Sequence, residues 1–267
     1  MLRQGKTSSL EVEVWYVPGD LTTAEPKYLE GPFIQGGKTL TSRLPFRPAM
    51  LGEQAAWKAI VPEPSLWTPQ APAVYRVNDT DQVIGLRELR ARGESFYQNE
   101  FRWLIRAASS SSGEFVGWQM SDLVPIVRRP TPEMLQTGTL SGQPLVVWLD
   151  GPVDAMLAEA SQAAAVQMVI LPAESNPTGL VHSHLLIGAA ISGESTLPEW
   201  AHFVVVPEEL LAEGWTPSRR LPVVATRQWK TDGASPQQLR TDCDRFQAEL
   251  SRGAEYAGLW LLAKDNQ

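Results

Sequence analysis

The residues of this 267-residue chain whose types and spacing could do chemistry are mostly carboxylates. Asp150, Glu174, Glu208 with Glu209, and Asp232 each follow a short apolar run, in PLVVWLD, QMVILPAE, HFVVVPEE and LPVVATRQWKTD. Folds built on parallel strands gather their reactive groups at the C-terminal strand ends. Carboxylates placed there could exchange protons as general acid and base. Arg227 and Trp229 lie in the last run and could offer a hydrogen-bonding fork and an apolar ring face to a ligand. Each position also has a plainer reading. Glu208 and Glu209 suit the first turn of a helix. Glu174 sits among the turn residues of PAESNPTG, and Asp150-Gly151-Pro152 reads as a helix-entry turn. Trp148, Trp215, Trp229 and Trp260 could line a groove or fill a core.

Other chemistries find little support. His182-Ser183-His184 has the i,i+2 spacing of a metal pair on a strand, but no third ligand stands close, so no metal is expected. Ser192-Gly193-Glu194-Ser195 lacks the spacing of a nucleophile elbow. There is no phosphate loop or dinucleotide fingerprint, so no cofactor is expected. The single cysteine, Cys243, excludes an intrachain disulfide, and Leu239, Cys243, Phe246 and Leu250 recur at helical spacing, which turns the thiol toward a core. A net charge of −7 without a basic face argues against nucleic acid. No apolar run approaches the length of a membrane span, and the start of the chain lacks a signal-peptide pattern, which makes a cytoplasmic location the default expectation.

The elements that must position these groups fall into two regions. With 43% apolar residues the chain can bury a sizeable core. Residues 1 to 8 read as a frayed end. Leu10–Val17, Lys27–Phe33, Thr39–Phe46, Ala55–Val61 and Val74–Val77 read as strands of a small sandwich separated by Pro and Gly turns. After Arg106 the pattern alternates strands with helical stretches, as βα units do. The strands are Arg102–Ala107, Pro144–Asp150, Gln167–Leu171, His202–Val206, Leu221–Thr226 and Tyr256–Leu262. Val153–Ala165 is amphipathic, and Ser235, Pro236 and Gln238 open a capped helix. Six β units in about 165 residues fall short of the eight strands and ~250 residues of a full barrel.

The join between the regions carries a resemblance. Leu66, Trp67, Pro69, Pro72, Val74 and Tyr75 match an "lW-P-x-P-x-lY" pattern. Ile84, Gly85, Leu86, Arg87 and Leu89 match "[F/I]-G-[F/I]-R-x-[I/L]", and Phe96, Gln98, Asn99, Leu104 and Arg106 loosely match "F-x-L-N-G-x-P-[V/I]-x-L-[R/K]-G". In this order the motifs resemble the junction of family-two glycoside hydrolases, the β-galactosidases, β-glucuronidases and β-mannosidases. Glu100 and Ala107 depart from it by replacing glycines. Glu tolerates the positive φ of a tight hairpin poorly, so a longer or different turn is expected at the tip.

The resemblance implies an immunoglobulin-like β-sandwich over 1–82, a connecting β-hairpin over 83–100 and a degenerate or partial (β/α) TIM-type barrel over 101–267. The sugar-binding jelly-roll domain that precedes these in the family is not expected here. It implies a carbohydrate ligand and hydrolysis of O-glycosidic bonds by two carboxyls, an acid/base glutamate of an Asn-Glu pair ending the fourth barrel strand and a nucleophilic glutamate ending the seventh. With His202–Val206 counted as the fourth strand, Glu208 takes the acid/base place, but Pro207 replaces the asparagine. No terminal glutamate of a seventh strand is found. The catalytic candidates are therefore Glu208 with Glu174 or Asp232, and the substrate-binding candidates are Trp229, Asp150 and Arg227. Two readings stay open: a glycosidase-like enzyme, or a non-catalytic carbohydrate-binding or assembly module in which an apolar patch beside the missing strands would mark a homo-oligomer contact. An unrelated α/β enzyme sharing only the proline-rich join is a third.

Overall fold

The structure is a computed structural model that describes residues 1–8, 10–18, 25–110, 115, 117–150, 153–177, 184–193, 196–230, 233–250 and 255–264. The N-terminal region forms two antiparallel sheets. One holds β1 (Leu2–Thr7), β2 (Glu11–Tyr16), β6 (Gln54–Pro62) and β5 (Arg47–Leu51) in that order. The other holds β4 (Ser42–Pro45), β3 (Tyr28–Phe33), β7 (Val74–Val77) and β8 (Val83–Ile84). Val12, Val14, Tyr16 and Val61 from the first sheet meet Leu29, Tyr75, Val77 and Ile84 from the second in one core. The alternation of EVEVWY decides which face of β2 turns inward: Val12 and Val14 are fully buried while Glu13 and Trp15 face outward.

Residues 1 to 8 are not frayed. Leu2–Thr7 pairs with β2, and the Met1 ammonium donates to the Val17 carbonyl at 2.6 Å. A polar strand such as LRQGKT shows no alternation, so only its partner strand defines it.

A three-stranded sheet follows, with β10 (Ser95–Gln98) between β9 (Leu89–Arg92) and β11 (Phe101–Trp103). Its tip overturns the expectation of a longer turn. Gln98 pairs with Phe101, so the loop is the two residues Asn99 and Glu100, at φ 50° and 67°. This is the positive-φ pair of a tight hairpin. Arg92 and Arg90 hold the Glu100 carboxylate at 3.1 and 3.4 Å and offset part of the backbone strain.

Eight parallel strands then close into a barrel in chain order: β12 (Ile105–Ser109), β13 (Val124–Val127), β14 (Leu145–Trp148), β15 (Val166–Pro172), β16 (Leu186–Ala190), β17 (Phe203–Pro207), β18 (Val223–Trp229) and β19 (Gly258–Ala263). The expectation of six strands and an incomplete barrel is corrected. The two overlooked strands are β13, whose VPIV core is short and contains a proline, and β16, whose small Gly188 and Ala189 carry little strand signal. Gly188 is required by packing, since a Cβ there would lie 2.4 Å from the Phe203 ring. Because the barrel closes, there is no gap of missing strands to expose an apolar patch. The outward residues Val204, Val206, Ala189 and Ile191 are covered by Leu197, Trp200, Leu210 and Trp215.

Helices are few among the described residues: α1 (Pro132–Ser141), α2 (Val153–Gln162), the short α3 (Glu208–Ala212) and α4 (Pro236–Glu249), with a single 3-10 turn at Gln119–Ser121. Ser235 caps α4 as its sequence predicts, with its side chain accepting from the Gln238 amide. No helix is long and apolar enough to cross a membrane.

The barrel interior is a packed apolar core. Ile105, Ala107, Ile126, Val146, Met168, Ile170, Val205, Val224 and Trp260 share it with Phe96 and Leu89 of the three-stranded sheet. The Phe96 ring meets Phe203 edge-on at 5.1 Å, and Phe203 meets Trp260 at 6.3 Å. Phe96 thus packs into the N-terminal end of the barrel, against the start of β17.

Candidate functional site

The period-two alternation of each barrel strand decides which residues reach the mouth. On β18, Val224 lies in the barrel interior and Ala225 in the outer core against α4. Thr226 and Gln228 therefore share the inner side, while Arg227 and Trp229 share the outer one. On β14, Val146 and Trp148 belong to the interior and Val147 and Leu149 to the outer shell, so Asp150 continues the inner row. On β13 the same rule carries Val124 and Ile126 on to Arg128.

These inner rows bring three residues together at the mouth. The Arg128 guanidinium lies 5.2 Å from the centre of the Trp148 ring, and its Nη1 donates to Asp150 Oδ2 at 2.8 Å. Arg128 and Asp150 are both exposed, whereas Trp148 is half-buried. The group spans two adjacent strands, β13 and β14, whose pairing of Ile126 with Val146 and Val127 with Val147 sets the stagger. Gln228 is exposed at the inner end of β18. Of the sequence candidates, Asp150 belongs to this mouth group. Arg128 carries no signal of its own in the sequence, because VPIV is short and interrupted by a proline. Once VPIV is a strand, Arg128 follows its C-terminal end.

Glu208 and Arg227 form a different group, on the outside of the barrel. Arg227 Nε donates to Glu208 Oε1 and Oε2 at 2.7 and 2.8 Å, Nη2 donates to Oε2 at 2.6 Å, and Nη1 donates to Glu249 at 2.5 Å. The Arg227 guanidinium also stacks 4.3 Å from the centre of the Phe246 ring on α4. Its hydrogen bonds to the Glu208 carboxylate are the chief cause that holds Arg227 above its ordinary pKa. Trp229 joins this outer layer, its indole N–H donating to Asp242 at 3.1 Å. These contacts tie β17, β18 and α4 together; they do not face the mouth.

The strand count also moves Glu208. His202–Val206 belongs to the sixth barrel strand, not the fourth. The fourth is β15 (Val166–Pro172), and Ala173 and Glu174 follow its end. Glu174 is exposed in a turn closed by the Ser175 amide donating to Pro172 O at 3.0 Å. The Trp200 indole pins this turn by donating to Ser175 O at 2.8 Å. Asp232 and His182 lie outside the described residues. His184 contacts the Gly5 carbonyl at the sandwich, and burial is the main cause that lowers its pKa. Among the described residues no cluster of His, Cys, Asp and Glu could hold a metal. Cys243 is buried in α4, and burial pushes its thiol up to about 12, far from a reactive thiolate.

Solved structures share this arrangement of strands. A β-glucuronidase from Faecalibacterium prausnitzii superposes with a TM-score of 0.60 at 12% identity, covering 97% of this chain and 58% of that one. A Parabacteroides merdae β-glucuronidase gives 0.56 at 11% identity, over 98% of this chain and 46% of that one. A Ruminococcus gnavus β-glucuronidase in complex with D-glucuronic acid gives 0.58 at 12% identity, over 97% and 59%. The fold is that of the β-glucuronidases. This chain spans about half the length of these glucuronidase-fold relatives. No protein-family model and no curated protein matches the sequence.

The joint between sandwich and barrel is built from the residues that carry the family resemblance. The Trp67 indole donates to Thr139 O at 2.8 Å. Arg87 is 5% exposed and spreads its guanidinium over Ser161 O at 3.1 Å, Ala163 O at 2.9 Å, Ala164 O at 3.4 Å and the Val166 carbonyl. It has no carboxylate partner among the described residues, and burial lowers its pKa to about 10. The C-terminal carbonyls of α2 supply the compensating negative potential.

Proposed function

We propose that this protein is a carbohydrate-binding member of the glycosidase fold that does not hydrolyse glycosides by a two-carboxylate mechanism. The carrying observation is the end of the seventh barrel strand, where the residue continuing the inner row is Gln228. A retaining glycosidase needs a carboxylate as nucleophile about 5–5.5 Å from its acid/base. An amide of the same shape can hydrogen-bond a sugar but cannot attack its anomeric carbon. Glu174, after the fourth strand, occupies the acid/base place by strand count, with Ala173 where the family has asparagine. Glu208, committed to Arg227 on the outer face, and Asp232 are weaker candidates for a catalytic role. Trp148, Arg128 and Asp150 supply the ring face, donors and acceptor that a sugar requires.

The barrel reads as TIM-type. The ladder runs from Ile105 to Gly258, Val224, Val205 and Ala190. A step back of two residues to Gly188 leads on to Ile170 and Trp148, and a further two to Val146 lead to Ile126 and Ser109. With the two steps restored, the circuit returns eight residues beyond Ile105, the stagger of a (β/α)₈ barrel. The two antiparallel sheets through Val83–Ile84 read as the immunoglobulin-like domain expected over 1–82, the three-stranded sheet of Leu89–Trp103 as the connector expected over 83–100, and the strands from Ile105 on as the barrel domain expected over 101–267.

The test is hydrolysis of a panel of aryl β-glycosides by the wild type, Glu174→Gln and Gln228→Glu, alongside calorimetric binding of the matching methyl glycosides. Binding without turnover in the wild type is expected. Turnover by the wild type that Glu174→Gln abolishes refutes the non-hydrolytic reading. No binding of any sugar refutes the carbohydrate reading.

A further inference from the structure

We propose that the Arg128–Asp150 pair makes the mouth select neutral sugars over uronic acids. This rests on the reading of the mouth as a carbohydrate site. The fold relative bound to D-glucuronic acid holds an acid sugar, whereas the charge balance of this mouth points the other way.

The Arg128 guanidinium lies 5.2 Å over the Trp148 ring, and its charge is already answered by Asp150 at 2.8 Å. The ring and the carboxylate both contact the guanidinium. Among the described residues, only Nη1 of Arg128 and Oδ2 of Asp150 are engaged in a hydrogen bond to a protein group. The remaining guanidinium N–H groups and Oδ1 are left as adjacent donors and acceptor. Neighbouring sugar hydroxyls both donate and accept, so a vicinal diol can bridge such a pair without breaking it. A uronate can only accept at its carboxylate. At the free N–H groups of Arg128 it brings a second carboxylate beside a guanidinium whose charge Asp150 already answers. Like-charge juxtaposition of this kind is a device for rejecting the wrong ligand. Thr226 and Gln228, on the inner side of β18, are neutral and add no charge.

The experiment is calorimetric titration with two matched pairs, methyl β-D-glucoside against methyl β-D-glucuronide and methyl β-D-galactoside against methyl β-D-galacturonide. Each is titrated into wild type and Asp150→Asn at pH 7. Asp150 is exposed on the surface, and unchanged thermal melting verifies that the variant folds. The wild type is expected to bind the neutral member of a pair at least about tenfold tighter. Asp150→Asn frees the Arg128 charge and is expected to gain at least about tenfold for the uronide. A wild type that prefers uronides, or an Asp150→Asn variant with unchanged preference, overturns this selectivity while leaving carbohydrate binding in place. No binding of any of the four overturns the carbohydrate reading and this inference with it.

Discussion

Replacing Arg87 by methionine is the sharpest test of how the two regions are joined. Methionine matches the aliphatic stem, so packing is largely kept and the loss is that of the guanidinium. The head donates to carbonyls at 2.9 and 3.1 Å, to a third at 3.4 Å and to the Val166 carbonyl. Hydrogen bonds from a charged group contribute about 1.5–3 kcal/mol each, and the orphaned carbonyls bear a desolvation cost of similar size. Against this stands relief of burying a cation without a carboxylate, whose pKa lies near 10 instead of 12.5. That shift corresponds to roughly 3 kcal/mol returned when the charge is removed. Four such bonds total about 6–12 kcal/mol, so the net destabilisation is at least about 3 kcal/mol, or on the order of 10 °C in melting temperature for a chain of this size. The backbone of Arg87 stays tied to Gln4, whose side chain bonds its N–H at 2.9 Å and its carbonyl at 2.6 Å, so the effect isolates the side chain. Urea denaturation followed by tryptophan fluorescence and far-UV circular dichroism gives the value. The folded and unfolded forms are both protonated well below pH 10, so the difference between wild type and variant should be flat from pH 6 to 9. A loss below about 1 kcal/mol, or one that varies across that range, refutes the account of Arg87 as the clamp on the end of α2.

Other perturbations follow from the same geometry. Gly188→Ala forces a methyl group against the Phe203 ring and should cost about 1–3 kcal/mol by denaturant titration, with Phe203→Leu in the same chain recovering part of it. Phe96→Ala removes the ring packed into the N-terminal end of the barrel and should cost about 3–5 kcal/mol. Glu100→Gly should stabilise by about 1 kcal/mol in 1 M salt, where the Arg90 and Arg92 pairs are screened and relief of positive φ remains. Burial, the largest cause in each case, lowers the pKa of His184 and of His202, whose Nδ1 accepts from the Ile187 amide at 3.1 Å. Between the ordinary value of 6.5 and the depressed folded values the unfolded chain binds more protons, so this stability is present above pH 6.5 and is lost as pH falls. His202→Asn, which retains an acceptor, should flatten part of that fall in pH-dependent melting.

What could be read from the sequence was set by local chemistry. The runs PLVVWLD, QMVIL and HFVVV become strands whose apolar centres are buried, because near-continuous apolar side chains suit a sheet covered on both faces. Ser235 and Pro236 announce the start of α4 since a cap acts over a few residues only. The order of Trp67, Gly85, Arg87 and Phe96 marks the joint, each being a large, small or charged residue with one buried task. The tertiary structure alone decided the rest. β1 is a strand through its partner β2, not through its own polar sequence. Closure of the barrel depends on hydrogen bonds between strands far apart in the chain, including the weakly patterned β13 and β16. With two strands added, the sixth strand could no longer be taken for the fourth. Inner and outer faces then followed from alternation within a known register. A shift of one residue separates Arg227, which binds Glu208 on the outer wall, from Gln228, which lies on the inner row at the mouth. Side-chain direction is a property of the closed sheet, so it fixed which polar residues could meet a ligand where spacing along the chain could not.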